Sequence, residues 1–433
     1  MCFSLNFVHK LTKMETLYQI YLQHPRICTD TRNIIEGSLF FCLKGENFDG
    51  NRFALDALDK GAAYVVTDNK EYADYPRCVV VDDSLKALQQ LASEHRAHLK
   101  VPVIGITGTN GKTTTKELTA AVLKKKYKVA FTQGNLNNHI GVPLTLLSVT
   151  AEDEIVIVEM GANHPGEIAF LADIARPEYG LITNIGTAHI EGFGSRENII
   201  QTKKALYDEV MRHHGHLFVN ADDPLLTDLV AGYDNLSTYG VDTPAEVKGA
   251  VLEMTPYLTI NLLDRRVETH LTGMYNLTNM LAAAAVGRFF GVLDDDITAA
   301  IAEYEPSNHR SQVIKRNGLT IIADYYNANP SSMFAALHNL AMIEGARKMA
   351  ILGDMLELGE VSEDEHQRMI GTAAGLGIEA WYVGEEFCRQ LEDDSHGFHS
   401  VAELNAYLKE HPITDGVVLI KGSRGIHLEN VEL

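Results

Sequence analysis

The chain has 433 residues, 45% hydrophobic and 22% charged, with a formal net charge of −21 at pH 7. These are globular-protein values in a chain too long for one core, so two or three domains are expected. So acidic a surface repels a nucleic-acid backbone, which excludes nucleic acid as an expected partner and leaves anionic ligands to a local site. Cys2, Cys28, Cys42, Cys78 and Cys388 are odd in number and never at CxxC spacing, which points to reduced thiols rather than a disulfide framework or a zinc site. No apolar run approaches the ~20 residues that cross a bilayer, and the leader MCFSLNFVHKLTKMETLYQ lacks a small-residue cleavage site. A cytoplasmic protein without membrane insertion is expected, with Met14 competing with Met1 as the start of translation.

The first segment, from about residue 14 to 98, carries strand-like pieces at SLFFCL (38–43), AAYVVT (62–67) and CVVV (78–81), then a helical run over 84–98. From Val101 short apolar strands alternate with longer helical stretches, the pattern of a parallel sheet with crossover helices. The strands are VPVIGIT (101–107), EIVIVEM (154–160), YGLITNI (179–185) and HLFVN (216–220); helices are expected over about 112–126 and 197–212. A polar, β-like section follows to about Ile260, and an alanine-rich helix (276–290) precedes a hinge near 306–310. Strand and helix then alternate again through LTIIADYY, SSMFAALHNLAMI, MAILGDM, AWYVG and GVVLIKG. The expected fold class is α/β in three domains. A smaller N-terminal αβ domain takes residues 1–98, a central domain with a P-loop-type, mostly parallel sheet and flanking helices takes 99–308, and a C-terminal Rossmann-like αβ domain takes 309–433. Active sites are expected at strand C-terminal ends and between domains.

The run TGTNGKTTT (107–115) sits between a strand and a helix, where a phosphate-binding loop belongs. Gly108 and Gly111 let the backbone N–H groups of the loop turn toward phosphate oxygens, and the helix N-terminus adds its positive end. Lys112 would neutralise the β- and γ-phosphates of ATP, and the Thr113 hydroxyl would bind Mg²⁺. The pattern GxxxxGK[ST] is not met in full, because Ile106 stands where its first glycine should be. Glu159 ends a strand at the same sheet edge and offers a hard cation the oxygen it prefers; His189 follows another strand in NIGTAHIEGFGS. KKKYK (124–128) reads as a solvated helix end, HHGH (213–216) as surface histidines rather than a metal cluster, and Asp222 and Asp223 as turn formers near the nucleotide.

A series of motifs runs along the chain: TDTR (29–32) and GSLFFCLKGENFDGNRF (37–53), then TGTNGKTTTKE, NLNNHIGVP (135–143), EMGA, NIGTAHIEGFGS and NADDP (220–224), then DYYNANPSSM (324–333), LGDMLELG (352–359) and IKGSRG (420–425). With these motifs, nearly the whole chain from Thr29 onward resembles the Mur ligase family, and within it the branch that adds D-alanyl-D-alanine to UDP-N-acetylmuramoyl-tripeptide. YNANP separates the branch from relatives that resemble DNPR or HNP at that place. The resemblance implies an ATP-dependent peptide ligase acting through an acyl phosphate. It implies that Thr31, Arg32, Lys44 and Gly45 hold the UDP-muramoyl substrate, and that Asn135, Asn138, His139, Tyr326, Asn327, Asn329, Pro330 and Ser331 also contact substrates. ATP would be bound by Gly108, Thr109, Asn110, Gly111, Lys112, Thr113, Thr114, Asn276, Asn279, Arg310 and Asp324. Lys112, Glu159, His189 and Lys203 would carry catalysis, with two Mg²⁺ ions on Thr113, Glu159, His189 and a carbamylated Lys203, for which Lys204 is the rival. The family's GxHN reads GMYN (273–276), so Tyr275 replaces a usual histidine and its role is open. The implied partners are the two small-molecule substrates, and the implied state is a monomer. Whether the third peptide residue is lysine or meso-diaminopimelate stays open. So do two other readings: a ligase of the same fold that adds a different amine, and a nucleotide-dependent switch without ligase activity.

Overall fold

Strands form where β-branched and aromatic residues cluster, and helices where apolar positions recur three and four apart. The computed structural model describes residues 13–186, 190–306, 310–344, 347–392 and 396–433. His189 and most of the expected hinge lie outside the described residues. The chain divides into two compact units: residues up to Gly105 with Lys128–Met160 and Phe170–Pro177, and Ile106–Tyr127 with Gly161–Ala169 and Glu178–Leu433.

In the first unit, parallel strands lie in the order Ile27–Cys28, Leu39–Phe41, Tyr64–Thr67, Cys78–Val80. Their inner face packs Cys28, Phe40 and Val65 against Ala54 and Ala57. The helix Ser84–His98 begins where Asp83 accepts the Lys86 N–H at 3.0 Å, and Ala87, Leu88, Leu91, Ala92 and His95 are its buried stripe. The Tyr21 hydroxyl donates to Leu147 O at 2.8 Å, and His95 Nε2 lies 3.1 Å from Val149 O. The first ties the helix Lys13–Gln23, which carries Tyr21, and the second the helix Ser84–His98 to the end of Gly141–Leu147 and the turn after it. The unit also holds the parallel pair Val129–Phe131 and Ile155–Glu159.

The strand Val103–Thr107 leads from the first unit into the second. There the Thr183 N–H donates to Thr107 O at 3.0 Å, and parallel pairing runs on through Tyr179–Ile182, His216–Asn220, Leu236–Gly240 and Val247–Met254. Antiparallel pairing with Leu258–Leu262 and then Arg265–Glu268 follows, so the β-rich section continues past Ile260. The helix Lys112–Leu123 stops short of the expected end at 126. Lys125 instead pairs with Glu303, and Lys126 donates to Phe290 O and Gly291 O. The expectation that the HHGH histidines lie at the surface fails for His216, which is 8% exposed. Its ring nitrogens face Asn235 Oδ1 at 2.8 Å and Ser237 Oγ at 3.1 Å, on and beside the next strand, and its ring packs on Phe289.

A second sheet in this unit has the order Gln312–Arg316, Leu319–Asp324, Gly416–Lys421, Lys348–Gly353, Glu379–Val383, Gly397–Phe398, with only the first pair antiparallel. Successive residues of a strand point to opposite faces. Accordingly Ala350 and Leu352 join the layer of Leu337, Leu340, Met369 and Phe387, while Met349 and Ile351 join that of Trp381, Leu404 and Leu408. Both faces are covered, as an α/β sheet requires. The parallel strands end together, so the segments after Asp324, Gly353 and Lys421 share one edge.

Candidate active site

The phosphate loop is shaped by two glycines that no other residue can replace. Gly108 has φ of 147° and a Cβ there would lie 1.9 Å from Thr183 Oγ1; Gly111 has φ of 80° and a Cβ there would lie 2.6 Å from Asn279 Oδ1. Gly111 is the N-cap of Lys112–Leu123, so the helix's first N–H groups open toward the loop. Thr109 and Asn110 are held by the neighbouring strand end. Thr109 N–H donates to Asn184 O at 2.9 Å, Asn110 N–H to Asn184 Oδ1 at 3.0 Å, and Asn110 O accepts from Thr183 Oγ1 at 2.6 Å. Thr183 and Asn184 were not anticipated from the sequence, since nothing in a strand's ending marks what it will touch.

Two lysines converge on one carbonyl. Lys112 Nζ donates to Gly108 O at 2.8 Å and Lys203 Nζ to the same oxygen at 3.1 Å. Lys203 is 4% exposed, and burial, then the charge of Lys112, brings its pKa down to about 7. Lys204, its rival, is half-buried and ion-paired with Asp208 one turn on. Thr113 is buried and Thr114 half-buried in the first turn. Asn276 and Asn279 support the loop from behind: Thr115 Oγ1 donates to Asn279 Oδ1 at 3.1 Å, Asn279 Nδ2 to Asn276 Oδ1 at 2.8 Å, and Asn276 Nδ2 to Thr272 O at 2.7 Å.

The Asn110 side chain closes a ring with the YNANP segment. Asn110 Nδ2 donates to Ser331 Oγ at 2.9 Å, Ser331 Oγ donates to Asn329 Oδ1 at 2.8 Å, and Asn329 Nδ2 donates to Asn110 Oδ1 at 2.8 Å. Asn329 also caps the helix Pro330–Met342, accepting the Ser332 N–H at 2.9 Å, and Pro330 occupies the first turn where a missing N–H costs nothing. Nearby, Asp324 accepts the Ser311 N–H at 3.0 Å and the Lys421 ammonium at 2.6 Å. Tyr275 meets Ser311 Oγ at 2.7 Å, and burial pushes its phenol pKa up. The residue that replaces the usual histidine thus buttresses Asp324. The Arg310 guanidinium stacks 3.9 Å over the Tyr326 ring, and its buried Nε has no hydrogen-bond partner among the described residues.

The shared edge of the second sheet bounds a small cleft that opens to solvent. Asn327, Ala328 and Asn329 form one wall, Leu356 and Glu357 another, and Ser423, Arg424 and Gly425 the third. Of these only Asn327 and Asn329 were expected site residues. LGDMLELG and IKGSRG were visible as motifs, without a sign that they face each other.

The remaining expected residues belong to the first unit. Glu159 is fully buried and accepts from Asn137 Nδ2 at 2.8 Å. Asn138 Oδ1 accepts the Ile140 and Gly141 N–H groups at 3.1 and 2.9 Å just before the helix Gly141–Leu147, and Asn135, Asn138 and His139 are exposed. Arg32 is exposed and pairs with Asp30 at 2.7 Å, beside the half-buried Thr31. Lys44 pairs with Asp68 at 2.7 Å, next to Gly45 in a short hairpin. Among the described residues no three His, Cys, Asp or Glu side chains are grouped to hold a metal ion. A hydroxyl and single carboxylates are the donor set that suits Mg²⁺, which keeps waters and shares phosphate oxygens.

Comparison with known proteins places the chain. Residues 26–101 match the family model "Mur ligase family, catalytic domain", 106–287 "Mur ligase middle domain", and 309–424 "Mur ligase, glutamate ligase domain". The UDP-N-acetylmuramoyl-tripeptide--D-alanyl-D-alanine ligase of Bacillus subtilis is 36% identical over 94% of this chain and 92% of its own, and that of Escherichia coli 34% identical over 94% and 92%. A crystal structure of MurF from Acinetobacter baumannii superimposes with a TM-score of 0.85 at 29% identity, covering 96% of this chain and 97% of that one. The MurF ligase of Thermotoga maritima in complex with ADP gives 0.83 at 28%, covering 95% and 96%. The α/β fold in three domains is that of these structures, and the chain belongs to the Mur ligase family, in its UDP-N-acetylmuramoyl-tripeptide–D-alanyl-D-alanine ligase branch.

Proposed function

We infer that this chain is an ATP-dependent ligase that joins D-alanyl-D-alanine to UDP-N-acetylmuramoyl-tripeptide, giving the UDP-pentapeptide precursor of peptidoglycan, ADP and phosphate. The observation that carries this reading is the ring of Asn110, Asn329 and Ser331, which ties the phosphate loop to the motif of the dipeptide-adding branch. Forming an amide from a carboxylate in water is uphill. Transfer of the γ-phosphoryl group to the terminal carboxylate of the tripeptide gives an acyl phosphate; the dipeptide amine attacks its carbonyl carbon, the C–O bond to phosphate breaks, and the amine proton leaves to solvent or phosphate. No side-chain nucleophile is needed, so the protein's contribution is positioning and charge neutralisation.

In this reading Lys112 and the N–H groups of Gly111 and Thr113 hold the phosphates, with Gly108, Thr109 and Asn110 shaping the loop and Thr114 in the same turn. Arg310, with its orphaned buried Nε, and Tyr326 offer a face and a donor to the nucleotide. Two Mg²⁺ ions would rest on Thr113, Glu159, His189 and a carbamylated Lys203; when bound they neutralise charge gathering at the transferred phosphoryl group. A carbamate forms on a neutral amine, so a lysine with a pKa near 7 supports Lys203 over the ion-paired Lys204. The cleft edged by Asn327, Asn329 and Arg424 takes the dipeptide, its carboxylate facing the guanidinium. Thr31, Arg32, Lys44, Gly45, Asn135, Asn138 and His139 serve the UDP-muramoyl substrate. We set the domain borders at 98/99 and 308/309, and the enzyme works as a cytoplasmic monomer; no described helix is long and apolar enough to cross a membrane. The test is the product's mass from ATP, UDP-N-acetylmuramoyl-tripeptide and each of D-alanyl-D-alanine, a diamino acid and glutamate. Addition of the dipeptide alone is expected; addition of another amine instead overturns the substrate assignment.

A further inference from the structure

Behind the cleft wall formed by Leu356 and Glu357 lies a histidine that no motif pointed to. His366, on the helix Ser362–Gly375, is 0% exposed. Its Nε2 receives the Met355 N–H at 3.0 Å, and its Nδ1 lies 2.7 Å from Ser362 O. A backbone amide only donates and a carbonyl only accepts, so the hydrogen must sit on Nδ1 and the lone pair on Nε2. The two bonds define one neutral tautomer. A proton on Nε2 would face the Met355 N–H head-on.

The rest of the wall is held in the same manner. The Leu356 N–H donates to Ser423 Oγ at 2.9 Å, and the Ser423 N–H donates back to Asp354 O at 3.1 Å. The Asp354 carboxylate accepts the N–H groups of Glu386 and Phe387, both at 2.9 Å. Glu357 follows in the left-handed region at φ 63°, a conformation that a non-glycine residue keeps only when its surroundings impose it. The wall is therefore a short irregular segment whose position depends on buried side chains behind it.

We propose that His366 is a positioning residue for the incoming dipeptide: as a hydrogen-bond acceptor on Met355 it sets the wall that Leu356 and Glu357 present to the cleft. The proposal rests on the cleft being the dipeptide's subsite. A buried N–H left without an acceptor is costly, enough to let the wall shift while the sheet stays intact.

The test compares His366→Gln, whose amide oxygen can take the place of Nε2, with His366→Asn, which is too short to reach Met355. With the full chain, His366→Asn is expected to raise the KM for D-alanyl-D-alanine about tenfold, with the KM values for ATP and the UDP-tripeptide unchanged, and His366→Gln to restore the wild-type value to within about threefold. Equal loss in all three KM values, or an unchanged dipeptide KM in folded His366→Asn, overturns the proposal. If neither variant folds, NMR on the wild-type protein decides. The His366 ring should show the Nδ1–H tautomer, and the Met355 and Leu356 amides should shift on saturation with the dipeptide; a silent pair of amides overturns it. Failure of the underlying subsite reading looks different, because Arg424→Ala, at the edge of the cleft itself, would then leave the dipeptide KM unchanged as well.

Discussion

The phosphate loop and the C-terminal cleft both lie at the ends of parallel strands, yet they are built in opposite ways. The loop brings its glycines, its cation and its helix N-terminus in a single run, with outside support from the strand end at Thr183 and Asn184 and from Asn276 and Asn279 on one helix behind it. The cleft collects walls from three distant segments and relies on buried polar groups behind them, Asp354, His366 and Lys421 among them. The contrast teaches where damage should appear. Changes in the loop strike the charge that the reaction needs, whereas changes around the cleft act through shape and stability.

The largest effect expected on this view is that of Lys112→Ala, which should lower kcat by about 10²–10³-fold or more, as loss of a transition-state charge partner does, with little change in thermal midpoint. A large drop in stability instead would blur the contrast. Asp324→Asn should do the reverse. It leaves the Lys421 ammonium, whose side chain is 2% exposed, without its carboxylate, and should cost about 3–5 kcal/mol in urea unfolding; a loss below about 1 kcal/mol would show that water reaches the lysine.

Between the two regions stands the Asn110–Asn329–Ser331 ring. If it couples loop and cleft, Asn110→Ala and Asn329→Ala should be non-additive in kcat/KM for the dipeptide by about 0.5–3 kcal/mol in a double-mutant cycle; strict additivity would make the regions independent.

The effect expected of Lys203 is read in pH. Its folded pKa near 7 lies below the ordinary lysine value, so the unfolded chain holds an extra proton between those limits. The cost of burying the charge is fully present below pH 7 and is relieved as pH rises through 7 toward 10.5. Wild type should therefore gain stability relative to Lys203→Met over that window, in bicarbonate-free buffer. Loss of activity in Lys203→Ala with partial rescue by small carboxylates would support the carbamate, and full activity would remove Lys203 from the site.

How much of this was readable from the chain follows from the same contrast. The helix Ser84–His98 and the strand His216–Asn220 appear at the bounds expected, and the loop appears where GKTT put it, because caps, apolar period and glycine spacing are local. The cleft was only half legible. Asn327 and Asn329 stood out in YNANP, but Leu356, Glu357, Ser423 and Arg424 meet them only because Gly416–Lys421 inserts between Leu319–Asp324 and Lys348–Gly353, an order that no local pattern encodes. His216 was misjudged for a related reason: Asn235 and Ser237, which make its burial tolerable, lie on and beside the adjacent strand. Asn276 and Asn279 were expected at ATP, and their side chains brace Thr115 and Gly111.

The most direct test of the account is phosphate release from ATP by the purified chain with UDP-N-acetylmuramoyl-tripeptide, measured with and without D-alanyl-D-alanine. Sustained release only when both are present, matched mole for mole by UDP-pentapeptide, is the predicted result. Equal release without the dipeptide, or none with either substrate, would contradict it.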